Sequence, residues 1–317
     1  MIINTGARAA TPKPETPPVV ISKTAQDLPL TGVKTPAPAP EPVKAGPVKP
    51  GIYPLMTNRE YHAQSDVLSS STARKLVEDG GPAEYHYFTE NPQPRKAAWD
   101  LGTAVHSLTL EGNLGEVEEI HYAAYTTNDA KAARDAALAA GKIPMKSAEL
   151  EGVYRMRDAI YADGEAREIL DACPAREQSL FADWFGTAVR ARPDAMSVEN
   201  GLMPDVKTAT DASRDGFRKS SGAFGYFAQE PWYTDIGQLL TGATFDFPFI
   251  VVESKPPYRV GVYRHTEYAR DLGRRMNDHA INVWNQCRET GIWPGYVRRT
   301  KIDLPPWTEA TVHEMVE

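Results

Sequence analysis

Residues 189–213 read VRARPDAMSVENGLMPDVKTATDAS. Two runs around this stretch, Ala188–Met196 and Leu202–Thr208, have the apolar content of half-buried strands. Asn200-Gly201 between them is a turn dipeptide. Asp194 falls near the end of the first strand. Asp205 and Lys207 lie two apart on the second, so the two-residue period of a strand puts them on one face. A short hairpin at Asn200-Gly201 is expected to bring Asp194 back beside Asp205, so that two carboxylates and an ammonium converge. Close carboxylates repel unless a cation or proton compensates them. Their oxygens are hard ligands suited to Mg²⁺ or Mn²⁺. A neighbouring lysine can orient an attacking water and neutralise charge developing on a phosphate. The same spacing also fits a solvated hairpin edge with alternating charges. Val189, Ala191, Leu202, Met203 and Val206 favour the half-buried alternative, in which a charged trio needs compensation.

Outward from this stretch the period of the sequence changes. Ser179–Trp184 reads as a preceding strand, joined through a turn at Phe185-Gly186. Helical patterns follow over Ser213–Ser220 and Phe224–Leu240. Phe247–Glu253 and Tyr258–Tyr263 read as a hairpin across Lys255-Pro256-Pro257, and a long helix runs from Thr266 to about Glu289. On the N-terminal side, Ser69, Ser70 and Ser71 offer caps for a helix through Ala73, Leu76 and Val77, ended by Gly80, Gly81 and Pro82. Helices are also expected over Ala83–Phe88, Lys96–Leu110, Lys131–Ala140 and Ser147–Leu170. The order predicts an α/β fold, a mixed central β-sheet flanked by helices.

Residues 1–50 hold eleven of the 26 prolines and almost no aromatics. Such a segment cannot bury enough apolar surface to offset its ordering entropy and is expected to be a disordered or polyproline-like tail. It serves either as a solubilising leader or as a docking arm. Residues 51–317 are expected to form one domain. The tail carries about +3, against a net charge of −7 for the whole chain, which argues against nonspecific coating of DNA. No apolar run has the roughly 20 residues of a membrane helix. The start, MIINTGARAATPKPETPPVV, has no apolar core of an export signal, so a cytoplasmic location is expected. Only two cysteines are present, Cys173 and Cys287, which excludes a Cys-rich zinc site or a four-Cys iron–sulfur cluster.

Three further features bear on the acid–lysine trio. His106 shares the apolar stripe of its helix with Trp99, Thr103 and Leu110, and is either a satisfied core histidine or a metal ligand. Gln229 and Tyr233 are spaced i, i+4 on one helix face. They form a half-buried face, or an amide and a phenol able to hydrogen-bond a phosphate backbone. Pro231 between them is expected to break or kink the helix. Basic residues cluster at Arg190 and Arg192, at Arg214, Arg218 and Lys219, at Arg274 and Arg275, and at Arg298, Arg299 and Lys301. They are solvated faces or the lining of a DNA groove.

Taken in order, these segments resemble the PD-(D/E)XK nuclease superfamily, and within it the exonuclease VIII-like (RecE-type) phage nucleases. MTNREYHAQSDVLSSSTARKL (56–76) is similar to the family's opening segment, with a Tyr-His followed by a serine run. WDLGTAVHSLTLEG (99–112) looks like the helix presenting the active-site histidine. RPDAM (192–196) and PDVKTATDAS (204–213) look like the PD and (D/E)XK strands, and FGYFAQEPWY (224–233) like the Gln-x-x-x-Tyr helix of the RecB-like branch. The resemblance spans about residues 52–300 and implies a restriction-endonuclease-like core. Carried across residue by residue, it implies that His106, Asp194 and Asp205 hold a Mg²⁺ or Mn²⁺ ion. Lys207 assists the nucleophilic water, and Gln229 and Tyr233 steady the lysine or the DNA. Glu177 stands ahead of the first strand, where relatives often place an acid.

The implied activity is an ATP-independent exodeoxyribonuclease on double-stranded DNA ends, working 5′ to 3′ in phage-type homologous recombination in a bacterial host cell. It leaves 3′ single strands for an annealing recombinase, and such enzymes form ring-shaped homo-oligomers. The alternatives are an endonuclease or a single-strand or flap nuclease on the same fold, or a non-catalytic DNA-binding scaffold. The intact trio argues against the scaffold.

Overall fold

The computed structural model describes residues 48–91, 97–296, 301–305 and 307–308, with side chains throughout except at 97–100. The expected tail up to residue 47, the Trp99 side chain, and Arg298 and Arg299 of the last basic cluster lie outside the described residues and side chains. The described residues fall within one compact unit, Glu41–Glu317. None of their helices is long and apolar enough to cross a membrane.

Local chemistry sets most of the element ends. β1 (Gly51–Tyr53) leads to α1 (Asn58–His62), where Thr57 and Glu60 cap each other reciprocally. β2 (Leu68–Ser69) runs into α2 (Ser70–Leu76), and Ser69 Oγ accepts the Thr72 N–H at 3.2 Å. The serine run therefore opens this helix as expected. Gly80, Gly81 and Pro82 do not end it. The helix stops at Val77, and Gly81 and Pro82 begin α3 (Gly81–Glu90). A proline in the first helical turn forfeits no hydrogen bond.

α4 (Ala97–His106) continues into a single π-turn, Ser107–Glu111. β3 (Val117–Ile120), α5 (Asn128–Ala139) and β4 (Ile143–Lys146) follow, with β3 and β4 parallel. These two strands were not expected, because each is only four residues long. The expected helix over Ser147–Leu170 is two, α6 (Ser147–Ala162) and α7 (Gly164–Asp171). They are split at Asp163, which is extended and caps α7 by accepting the Ala166 N–H at 2.9 Å.

The strand meander departs from its expected pairing. After β5 (Ala175–Arg176), β6 (Ser179–Trp184) and β7 (Thr187–Ala191) form the expected antiparallel hairpin. Its turn residues Phe185 and Gly186 both have positive φ, 51° and 89°, which matches the twist of the strands. The expected strand Ala188–Met196 stops at Ala191, since Pro193 has no N–H for a ladder, and resumes briefly as β8 (Ala195–Met196). β9 (Asp205–Ala209) does not pair with β7. Only the Asn200-Gly201 turn closes locally, through mutual Ser197–Leu202 backbone bonds of 2.8 and 3.0 Å.

α8 (Arg214–Phe224) and α9 (Tyr226–Thr241) instead carry the chain over to β10 (Phe249–Glu253). β10 pairs in parallel with β9, with Asp205 opposite Phe249 and Lys207 opposite Val251. β11 (Val260–Tyr263) completes the expected hairpin, and α10 (Glu267–Thr290) is the expected long helix. The result is an α/β fold with mixed sheets flanked by helices. A four-stranded sheet has the order β1-β6-β7-β2, and a three-stranded sheet the order β11-β10-β9.

β10 is buried along its whole length because each of its faces meets a different core. Phe249 and Val251 pack with Leu180, Val189, Met203 and Trp232. Ile250 and Val252 pack with Val105, Leu108, Met156 and Val206.

Pro231 was expected to break or kink its helix, yet α9 runs on through it. A proline leaves the carbonyl four residues earlier without its donor, here that of Phe227. α10 closes over this point. Gly273 sits so near that a Cβ there would lie 2.1 Å from the Phe227 oxygen, and the buried Asn277 donates to the next carbonyl, Ala228, at 2.9 Å.

Candidate active site

β9 is an edge strand, so one side of its backbone is free of ladder partners. The site is built on that edge. The Val206 N–H donates to Asp194 Oδ2 at 2.6 Å, and the Val206 carbonyl accepts from His106 Nε2 at 2.6 Å. One peptide position is thus gripped by a carboxylate from the β7–β8 segment and an imidazole from the end of α4. This side-chain-to-backbone contact, not a hairpin ladder, brings Asp194 to Asp205. Since Nε2 carries the proton to the carbonyl, His106 turns Nδ1 toward Asp194 Oδ1, 3.4 Å away.

Asp205 and Lys207 share a face, as their spacing predicted, and Asp205 Oδ2 meets Lys207 Nζ at 2.5 Å. Gln229 Nε2 donates to Asp205 Oδ1 at 2.7 Å. The Tyr226 ring lies under the Lys207 ammonium, 4.8 Å from centroid to nitrogen. Asp194 and Asp205 are both buried, as is Gln229.

Glu177 enters from the turn between β5 and β6. It holds φ at 48°, a conformation rare for a residue with a Cβ. Its N–H donates to the Asp194 carbonyl at 3.1 Å, and its side chain accepts from Arg192 Nε at 3.0 Å. His106, Glu177 and Asp194 each offer a ligand atom within 4.8 Å of the others. A nitrogen and two carboxylates suit a hard or borderline divalent cation. Asp205 faces Gln229 and Lys207 instead.

Electrostatics bind the group together. Burial opposes charge on His106, but Asp194 outweighs it and lifts the imidazole to about 9. Burial also works against the Asp194 carboxylate, while His106 and Lys207 hold it below the usual carboxyl range. Burial, with Asp194 nearby, pushes Glu177 up to about 7. Burial raises Asp205 despite Lys207, and Lys207 is itself raised against burial by Asp205 and Asp194.

A cavity of about 740 Å³ opens on this cluster. His106, Glu177, Asp194, Gln229 and Tyr233 all line it, so Gln229 and Tyr233 keep their common face despite Pro231. Of the basic clusters, Arg190 and Arg192 reach the cavity. Arg274 pairs with Asp235 and Asp271, and Arg218 with Asp215. Residues not singled out from the sequence also belong here. Arg74 lines the cavity from α2, Tyr61 from α1, and Tyr226 covers Lys207. The Tyr61-His62 pair and the serine run were the local signals for this wall.

A mixed-sheet fold with two acids and a lysine gathered at a strand edge defines a nuclease-like domain of the PD-(D/E)XK class. The model of the family described as a PDDEXK-like domain of unknown function (DUF3799) matches residues 70–302, and the chain belongs to that family. No curated protein matches the chain. Among solved structures, it is similar to a provisionally named exonuclease from Eubacterium rectale. The TM-score is 0.56 at 14% identity, covering 81% of this chain and 98% of that one. It also matches a phage-related exonuclease from Haemophilus somnus 129PT, with a TM-score of 0.32 at 13% identity, covering 71% of this chain and 96% of that one. At such identity the first likeness establishes a shared fold.

Proposed function

We propose that the protein is a divalent-metal-dependent exodeoxyribonuclease that hydrolyses phosphodiester bonds from the ends of double-stranded DNA, working 5′ to 3′. The observation that carries this reading is the grip of His106 and Asp194, both in the lining of a cavity, on the free edge of Val206, beside the Asp205–Lys207 pair of the same strand and within a PD-(D/E)XK-like domain. His106, Asp194 and Glu177, whose ligand atoms lie within 4.8 Å of one another, would hold Mg²⁺ or Mn²⁺, with Asp205 beside them turned to Gln229 and Lys207. When bound, such an ion polarises the phosphate and lowers the pKa of a coordinated water.

The chain's own groups do the rest. Lys207, kept as an ammonium by Asp205 and Asp194, orients the attacking water and offsets charge developing on the phosphate. Gln229 fixes Asp205, and through it the lysine. Tyr233 offers a phenol that burial holds well above its ordinary pKa, so it remains a hydrogen-bond donor toward the strand. The products are 3′ single strands suited to an annealing recombinase in phage-type recombination. A ring-shaped homo-oligomer on the duplex accounts for processivity without a strongly basic surface.

The test is degradation of a linear, end-labelled duplex with Mg²⁺ or Mn²⁺, beside a closed circular duplex. Wild type is expected to consume the linear DNA and spare the circle, and Lys207→Ala to leave both intact. Survival of linear DNA in wild type with either ion overturns the reading, and loss of the circle reassigns it to an endonuclease.

A further inference from the structure

A second polar cluster stands apart from the cavity, and the hydrolytic chemistry does not use it. Ser221 of α8, Glu230 of α9 and His265, between β11 and α10, are not among the residues lining that cavity. His265 Nδ1 donates to Glu230 Oε2 at 2.6 Å, and its Nε2 meets the Ser221 hydroxyl at 2.7 Å. Ser221 and Glu230 are both buried. Arg270 of α10 also faces Glu230, with Nε 3.9 Å from Oε1. Burying a carboxylate is costly, and apolar side chains of similar volume often serve stability as well or better. What a fully satisfied buried polar chain does supply is one defined arrangement of the elements it joins.

This chain reaches the Asp205–Lys207 pair by two routes. The residue before Glu230 is Gln229, whose amide holds Asp205 Oδ1. Successive side chains leave a helix about 100° apart, so α9 is gripped from two directions at one level, by Asp205 and by His265. Pro231 follows directly and removes a helical hydrogen bond there, which makes outside anchors matter more. The second route is aromatic. The His265 ring lies 6.1 Å from Phe217, and Phe217 lies 6.1 Å from Tyr226, at interplanar angles of 26° and 19°. Tyr226 in turn lies under the Lys207 ammonium. Phe249, opposite Asp205 in the β9–β10 ladder, meets the His265 ring edge-on at 4.9 Å.

We propose that Glu230, His265 and Ser221 are positioning residues for the hydrolytic centre. Their hydrogen-bonded chain fixes the rotation of α9, and with it the aim of Gln229 at Asp205 and the seat of Tyr226 beneath Lys207. The effect on cleavage rests on the nuclease reading, whereas the coupling of His265 to Gln229 belongs to the folded chain alone. None of the three lines the cavity, so each acts through Gln229 and Tyr226. Cutting the chain lets α9 turn, which loosens Asp205 and the lysine it pairs with. The groups that line the cavity keep their own contacts with DNA, so the loss falls on kcat and spares KM.

The experiment uses the full chain and two variants. His265→Phe keeps a ring against Phe217 and Phe249 but loses both hydrogen bonds. Glu230→Met keeps the volume of the buried side chain and carries the test where His265→Phe does not fold. The first readout needs no activity. The Gln229 side-chain amide is identified in nitrogen–proton correlation spectra by its loss in Gln229→Ala, and its resonance is expected to shift in both variants. The second readout is cleavage of a linear duplex with Mg²⁺ or Mn²⁺. Each variant is expected to lower kcat by about tenfold with KM unchanged. Added to Gln229→Ala, His265→Phe is expected to lower kcat no further, because both cut the same contact. A merely stabilising role would lower the melting temperature and leave kcat as it is. An unmoved Gln229 resonance overturns the proposal, as do losses in kcat that multiply in the double variant. Cleavage by wild type with an unmoved resonance removes the positioning role and leaves the nuclease reading standing. A shifted resonance in a protein that cleaves no DNA does the reverse.

Discussion

Gln229 donates its side-chain amide to Asp205 Oδ1 at 2.7 Å, across from α9 to the edge strand β9. The amide occupies one carboxylate oxygen while Lys207 occupies the other, so the orientation of Asp205 is fixed from two elements. Replacing Gln229 with alanine strands a buried acceptor, which costs about 1–3 kcal/mol. Loss of an orienting partner of this kind typically lowers activity or metal affinity by roughly 10–100-fold. Gln229→Ala should therefore show a lower melting temperature and a slower cleavage rate. Unchanged values for both would mean that the contact has no role.

The Asp205–Lys207 pair is buried, so breaking it from one side should cost more than removing it altogether. Lys207→Met leaves two carboxylates facing each other and is expected to destabilise the metal-free protein by about 3–5 kcal/mol. The double variant Asp205→Asn, Lys207→Met should recover part of that loss. Denaturant melts of the two singles and the double measure the coupling. Strict additivity would argue against the pair as a unit.

Metal and protons should compete at this site. In the metal-free protein His106 is lifted from its ordinary value near 6.5 to about 9, and Glu177 from 4.5 to about 7. Both folded-state values are raised. Each group therefore contributes stability below its ordinary value and loses it as pH rises, Glu177 through about 7 and His106 through about 9. A divalent cation displaces those protons. The rise in melting temperature produced by Mn²⁺ should thus be larger at about pH 8.5 than at about pH 6, and smaller in Glu177→Gln. A Mn²⁺ shift independent of pH and of Glu177 would remove Glu177 from the donor set.

Gly273 marks the closest approach of α10 to α9, with a hypothetical Cβ 2.1 Å from the Phe227 oxygen. Alanine there must push two packed helices apart, an overpacking cost of about 1–3 kcal/mol or more. Because α9 carries Gln229, Gly273→Ala should also weaken cleavage. A wild-type melting curve would show that the helices separate freely.

Much of this was legible in the sequence because it follows from local periods. Asp205 and Lys207 share a face since a strand alternates every two residues, and Phe185-Gly186 turns the β6–β7 hairpin with both φ values positive. The expected neighbourhood of Asp194 and Asp205 also holds, though by another route. The Asn200-Gly201 signal is real, but it closes only the Ser197–Leu202 bridge. β9 pairs with β10 because the apolar Phe249–Val252 run needs a core on each face, a demand that sequence proximity does not express. Pro231 misled for a similar reason. Its missing N–H is absorbed by the packing of Gly273 and Asn277, which lie more than 40 residues away.

The sequence by itself determined the acid–lysine spacing, the helical and strand patterns and the class of fold, since each is a property of neighbours along the chain. Only the tertiary structure decided that Val206 is gripped by Asp194 and His106, that Glu177 joins them, and that Arg74 and Arg190 line the same cavity. A free strand edge and a shared cavity wall are sums over contacts distant in sequence, and they exist only once the chain has closed on itself.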